Sequence, residues 1–249
     1  MFKTIGTSVL ASSLVLLCGV DVAYAQRQAP AFRPGRDVAP QTINFTFGAF
    51  VPKDTPRAGG GDADVLDFDS TFLDFSVSDF KTATLGVEYL LPIGKFVEAG
   101  AGLSFTRRTV PSTYIDFIAN DGSEIQQDLK MRRIPFDFTA RVLPLGPSSH
   151  VQPYFGGGLS VVAWRYTETG EFVDFTQGGT IFRDTFSDSG SAVGPVILGG
   201  VRYASEAFSV GGEFRWHKAE ADLDPDNFEA PKIDLGGWSI QATFGVRFD

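Results

Sequence analysis

The sequence is short of several things, and each absence narrows what the chain does. It has one cysteine, Cys18, which lies in the N-terminal apolar segment. With that segment removed, the chain has neither disulfide nor thiol chemistry. Only two histidines occur, His150 and His217. After the first two dozen residues, no apolar run approaches the roughly 20 residues a membrane-crossing helix needs. Positive charge is also scarce, with 21 Lys and Arg against 30 Asp and Glu, a net charge of −9. Nucleic acid is therefore not an expected partner, because neutralising phosphates needs clustered cations.

What the 249 residues do contain is 24 Phe, 28 Gly and a mean hydropathy of +0.02. That length suits one domain. Aromatics favour strands, and glycine suits tight turns and the crowded inside of a small barrel. The N-terminus has the layout of an export signal: Lys3, an apolar stretch from Val9 to Val20, then Ala23-Tyr24-Ala25 as a cleavage site. Residues 1–25 are thus expected to be a signal peptide. Cys18 as a lipoprotein acceptor is the lesser reading, since Leu16-Leu17 precede it where a small residue belongs. Residues 26–40 are rich in Pro and Arg and read as a flexible periplasmic lead-in.

From residue 41 to 249 the dominant period is two. Ile43, Phe45, Phe47, Ala49 and Val51 share one face, as do Val97, Ala99, Ala101, Leu103 and Phe105. Glu98, Gly100, Gly102, Ser104 and Thr106 lie opposite the second set. The same alternation recurs in 83–91, 130–142, 153–165, 195–204 and 208–217. It is clearest in the last segment, where Trp238, Ile240, Ala242, Phe244, Val246 and Phe248 alternate with Ser239, Gln241, Thr243, Gly245 and Arg247. Pro135 sits mid-strand without a ladder donor and predicts a bulge. Asn120-Asp121-Gly122 predicts a hairpin turn.

These segments number eight, and each has the ten or so residues that a tilted strand needs to cross a bilayer. Long and short connections alternate, which puts the excursions 52–80, 109–129, 166–192 and 218–236 at one end. Alternation alone does not tell a membrane barrel from a soluble one. A polar face of Gly, Ser and a few charges of both signs suits a narrow interior better than a solvated surface. The expected fold is all-β, an eight-stranded antiparallel up-and-down transmembrane β-barrel. Two period-two stretches in the loops, Phe72–Phe80 and Phe172–Phe186, are expected to extend strands beyond the membrane. A count of ten strands would need the second to form a membrane hairpin, which Asp174 and Gly178-Gly179 disfavour.

With these features in view, the chain resembles the OmpA/OmpX-type outer-membrane barrels. The resemblance spans Gln41 to the end and rests on the eight segments, the alternating loops and the closing Trp238–Phe248 strand. It implies a bacterial outer-membrane location. It also implies insertion by the barrel-assembly machinery, which reads a C-terminal strand ending in an aromatic, here Trp238, Phe244 and Phe248. Asp249 follows that aromatic and departs from the pattern. The resemblance further implies a barrel domain only, without the periplasmic peptidoglycan-binding domain of longer members.

Four sets of residues are candidates for chemistry. By parity, Glu88, Glu98, Asp137, Arg141, Arg202, Glu213, Arg215 and Arg247 face the lumen, four acids against four bases. Buried ions need pairing, so they read as a structural plug or, alternatively, as the lining of a narrow gated path. Arg107, Arg108, Lys130, Arg132 and Arg133 form a basic cluster at the external rim, either to hold lipopolysaccharide phosphates or as ordinary rim charge. The acidic loops 52–80 and 218–236 read as solvated charge and as a possible contact for a surface partner. Within the second, Asp222, Asp224 and Asp226 have the opening spacing of a calcium loop, but Asn227 and Ile233 replace its required Gly and Glu. Lastly, no set of nucleophile, base and orienting residue is visible. The expectation is a non-enzymatic, cofactor-free barrel with a structural or surface-interaction role. A porin-like channel and a lipid A-modifying hydrolase or acyltransferase using His217 are the alternatives.

Overall fold

The computed structural model describes residues 40–54, 57–58, 63–174 and 178–248. The expected signal peptide, nearly all of the lead-in, Asp62 and Asp249 lie outside the described residues.

Eight strands close into a barrel: β1 (Gln41–Pro52), β2 (Thr82–Pro92), β3 (Val97–Ile118), β4 (Glu124–Val142), β5 (Val151–Asp174), β6 (Thr180–Ala204), β7 (Phe208–His217) and β10 (Gly237–Phe248). They pair in the order β1-β10-β7-β6-β5-β4-β3-β2, every neighbour antiparallel. The ends of the chain make the seam, running in register from Gln41↔Phe248 to Pro52↔Gly237. Closure leaves the wall without an unpaired edge, the only way a sheet can sit in hydrocarbon. No helix among the described residues is long and apolar enough to cross a membrane.

The alternation is inside-out. Phe45, Phe47, Leu85, Leu103, Phe138, Phe155, Leu159, Val193, Ile197 and Ile240 are exposed on the outer wall. The alternate positions point inward and carry Thr42, Asn44, Glu88, Glu98, Asp137, Arg141, Gln152 and Glu213, all buried. A soluble barrel would bury the first set and hydrate the second. On the outer wall the rings of Phe214 and Trp238 stack diagonally, 6.1 Å between centroids.

Glycine shapes the wall. A Cβ at Gly158 would stand 1.8 Å from the Phe138 carbonyl oxygen, and one at Gly156 would stand 2.1 Å from that of Ala140. Both strands approach closely there, so only glycine is admitted. Gly102 and Gly200 instead make room inside. A Cβ at the first would crowd the Glu88 side chain at 2.9 Å, and at the second the Tyr154 hydroxyl at 2.6 Å.

Several expectations are corrected. β3 to β6 are 22, 19, 24 and 25 residues long, so each continues well past the bilayer crossing. Pro135 does not create a bulge. Leu103↔Phe136 and Thr106↔Arg133 keep one register on either side of it, and Pro135 itself pairs with Val162. The missing N–H leaves a local gap on the β3 side without inserting a residue. Phe72–Phe80 is not a strand. It ends in a 3-10 turn, Val77–Phe80, capped by Ser76 and by Asp79, whose carboxylate accepts from the Ser76 N–H at 2.8 Å. By contrast, the Phe172–Phe186 hairpin does extend β5 and β6, pairing Phe172↔Phe182 and Asp174↔Thr180.

Above the barrel, the extended strands and the long loops form a second core. The loop before β2 contributes the short helix α1 (Val65–Asp69), and the loop after β7 contributes a small hairpin, β8 (Glu220–Asp222) with β9 (Lys232–Asp234). Leu66, Leu73, Phe80, Val110, Leu129, Tyr166, Phe228 and Ile233 pack there, each buried. The molecule therefore has an ionic compartment inside the barrel and an apolar one outside the membrane.

Candidate functional site

The ionic compartment centres on Arg215 of β7. Its Nη1 donates to Asp137 Oδ2 at 2.5 Å, and its Nη2 to Glu213 Oε1 at 2.6 Å and Glu88 Oε1 at 3.3 Å. Arg141 of β4 closes the far side, with Nη2 2.5 Å from Glu88 Oε2 and 2.9 Å from Glu213 Oε2. Two guanidiniums and three carboxylates from β2, β4 and β7 thus meet across the lumen. The Tyr154 hydroxyl donates to Glu213 Oε2 at 3.2 Å, and the Arg141 guanidinium lies over the Tyr154 ring, 4.9 Å from its centre. A second tier lies nearer the short-turn end. There Arg202 pairs with Glu98 and donates from Nε to Gln152 Oε1 at 2.8 Å. At the other end His217 Nε2 stands 3.1 Å from both oxygens of Asp137.

Seven of the eight lumen residues expected from parity lie in this arrangement. Arg247 does not. It is half-buried at the end of β10, where Nη1 donates to the Ser205 carbonyl in the tight turn beside it. Parity was right for it, but its level in the barrel was not. Tyr154, Gln152 and His217 complete the network. The inward parity of each could have flagged them, but a charge count passes over neutral side chains.

The expected basic cluster divides. Arg107, Arg132 and Arg165 stand in one cross-strand row, through Arg107↔Arg132 and Arg132↔Arg165. All three are exposed on the outer wall, immediately beyond its apolar part. Lys130 lies one outward position further on, opposite Thr109 and Thr167. Arg165 was missed because it lies on a different hairpin. Arg108 is drawn away by the loop, donating from Nε to the Asp79 carbonyl at 2.9 Å. Arg133 is a correction. It is fully buried inside the barrel, its guanidinium 4.0 Å above the Phe50 ring, so it takes no part in the rim.

The acidic loops are not simply solvated. Arg57, buried, donates from Nε to Asp64 Oδ1 at 2.5 Å, from Nη1 to the Lys53 carbonyl at 2.7 Å and from Nη2 to the Asp234 carbonyl at 3.0 Å. Asp64 Oδ2 accepts from the Asp234 N–H at 2.6 Å, and Lys53 Nζ lies 3.3 Å from Asp234 Oδ2. One clasp thus ties the two external loops together. The calcium reading has no support from the geometry. Asp224 Oδ1 accepts from the Asp226 N–H at 3.0 Å as a turn, Asp222 faces Lys232, and no group of acids or histidines among the described residues is placed to hold a metal.

A third feature lies deeper in the external compartment, past the arginine row. Asp69 of α1 and Glu168 of β5 are both buried, and the Tyr166 hydroxyl donates to Asp69 Oδ2 at 3.2 Å. Burial, with the neighbouring carboxyl, holds Asp69 well above its ordinary range, and burial raises Glu168 from 4.5 to about 7. Such groups favour the fold while protonated. For Glu168 that stabilisation is complete below pH 4.5 and is lost as pH rises through about 7, and Asp69 acts in the same direction. Tyr166 and Tyr114, the other titratable groups beside them, stay neutral throughout, since burial raises both hydroxyls further.

Two outcomes follow. Arg215→Met leaves three buried carboxylates short of a cation and lowers the urea unfolding free energy in lipid vesicles by about 3–5 kcal/mol, whereas Arg247→Met costs less than about 1 kcal/mol. Amide exchange in α1 and the outer half of β5, corrected for intrinsic rate, is faster at pH 8 than at pH 5. Glu168→Gln removes most of that difference.

No family model matches the chain, and no curated protein matches it by sequence. Solved structures do. One is the attachment invasion locus protein Ail of Yersinia pestis in complex with the heparin analogue sucrose octasulfate, at 10% identity and a TM-score of 0.42, covering 85% of this chain and 99% of that one. Another is Neisserial surface protein A, at 13% identity and a TM-score of 0.42, covering 84% and 96%. A third is the N-terminal β-barrel domain of Pseudomonas aeruginosa OprF, at 13% identity and a TM-score of 0.33, covering 85% and 99%. The chain's own geometry is the firmer ground: a closed wall, apolar outside and ionic within, of eight strands with long loops at one end. By that architecture, the chain is a small eight-stranded transmembrane β-barrel of the outer-membrane type.

Proposed function

We propose that this is a non-conducting barrel that presents its loop-built external compartment as a working surface. Membrane integrity and loop-mediated binding are its roles. The observation that carries the reading is Arg215, which engages carboxylates of β2, β4 and β7 across the lumen, with Arg141 behind it. An eight-stranded interior is only wide enough for side chains, and here those side chains are tied to one another. The longest strands and the densest apolar packing lie beyond the bilayer, where a barrel built only for transport has no need of them.

Two contacts with the surroundings belong to the same reading. The row Arg107–Arg132–Arg165, with Lys130, is the contact for lipopolysaccharide phosphates in this reading, supported by its exposure just beyond the apolar wall and by the match of guanidiniums to paired phosphate oxygens. Trp238, Phe244 and Phe248, exposed on the outer face of β10, form the signal taken by the barrel-assembly machinery after export on residues 1–25. Catalysis is not part of the proposal. His217, the one histidine on the external half, is buried with Nε2 held by Asp137.

Planar bilayers test the plug. The purified chain is expected to give no resolved conductance steps at moderate voltage. Steady single-channel steps that shift when Glu213 or Arg215 is neutralised would establish the gated path instead.

A further inference from the structure

The external compartment contains a cavity of about 420 Å³. Its walls are aromatic: Phe68, Phe72, Tyr114, Phe172, Phe186 and Phe228. The rings are braced against one another, Phe172 and Phe186 edge to face at 4.8 Å and Phe72 over Tyr114 at 6.0 Å. Asp69 and Glu168 also line it. No Arg or Lys among the described residues pairs with either carboxyl, in contrast to Asp64, Asp137 and Glu213, which all have guanidinium partners. Glu168 is more than nine-tenths buried, and its Oε1 has no hydrogen-bond partner. A buried carboxyl oxygen left unmatched is costly, and polar groups in such places are ordinarily satisfied.

The missing complement has a definite chemistry. It must carry an N–H donor to satisfy the unmatched Glu168 Oε1, and a positive charge on that donor favours the ionised form of the carboxyl pair. It must also carry an apolar body, because most of the remaining wall is aromatic or aliphatic, with Gln127, Asp174, Asn227 and Glu229 the polar exceptions. Aromatic faces attract cations as well as hydrocarbon, so the same walls serve both ends of the molecule. A free metal ion fits poorly, because no three acids or histidines among the described residues are grouped to hold one and aromatic rings make up much of the wall. An anionic ligand would meet four acids, Asp69, Glu168, Asp174 and Glu229, and no Arg or Lys in the lining.

We propose that this cavity is a binding site for small amphiphilic amines, molecules with a protonated nitrogen and an aromatic or aliphatic body, with the ammonium seated on Asp69 and Glu168. The proposal rests on the external reading of function only for the side from which the ligand arrives. It does not depend on whether the lumen conducts.

The test is a fluorescence titration of the full chain, folded in a nonionic detergent, with naphthylethylamine and its uncharged analogue naphthylethanol. The two share a ring system and differ in the group that would meet the carboxyls. The amine is expected to bind about tenfold tighter or more, the ratio that one charge-assisted contact supports. Glu168→Gln should bring the two within about twofold, and Phe172→Ala should weaken both probes together. Equal binding of the two probes by the unaltered chain, or binding of neither, overturns the proposal. So does a preference that survives both Glu168→Gln and Asp69→Asn. Heat-modifiable migration confirms that each variant is folded. If Glu168→Gln does not fold, Asp69→Asn gives the same reading, and the comparison on the unaltered chain decides alone.

Discussion

Backbone hydrogen bonds in hydrocarbon have no water to fall back on, and this constraint governs the whole molecule. It forces the first strand onto the last, in the unbroken register from Gln41↔Phe248 to Pro52↔Gly237. Closure at eight strands fixes a narrow interior, and the narrow interior fixes what can line it. Polar side chains facing one another there are desolvated, so most of the charge is paired, and Arg133 lies instead against the Phe50 ring. Arg215 and Arg141 against Glu88, Asp137 and Glu213 are the consequence. Gly102 and Gly200 are the other half of the same solution, giving up side chains so that Glu88 and Tyr154 have room.

Outside the bilayer the rules revert to those of a soluble protein. Apolar residues turn inward again, and Leu66, Leu129, Phe228 and Ile233 form an ordinary core. The four long strands β3 to β6 pass through both regimes. On the outer wall the change of solvent falls near Arg107, Arg132 and Arg165, where exposed apolar residues give way to charge. The buried Arg57, clasping Asp64 and the Asp234 backbone, does for the loops what Arg215 does for the barrel. In the loop-built cavity Glu168 Oε1 is left without a partner.

Much of the barrel was legible because its signal is local. A period of two assigns each residue to lumen or lipid from its immediate neighbours, and that placed Glu88, Glu98, Asp137, Arg141, Arg202, Glu213 and Arg215 together. Depth along the barrel is not local, which is why Arg247 was grouped with a network whose ion pairs it does not join and Arg133 with a rim it does not share. The proline at 135 announces a missing donor, but sequence does not distinguish a gap from an inserted residue. The loops were least legible. Arg57 meets the Asp234 carbonyl across a separation of 177 residues, and nothing periodic marks either partner. Seven aspartates in 52–80 read as solvated charge, yet Asp64 and Asp69 are buried, one satisfied by Arg57 and one kept near its protonated form by its surroundings.

The central claim is that the sheet is inside-out, with its apolar face on lipid and its ions within. The chain's three tryptophans, Trp164, Trp216 and Trp238, allow a direct measurement. Trp164 is turned inward and buried, while Trp238 is exposed on the outer wall. In variants retaining only one of these two, reconstituted into vesicles, brominated lipid should quench Trp238 strongly and leave Trp164 bright. Quenching of Trp164 by the brominated lipid, with Trp238 answering only to iodide in the water, would contradict the account.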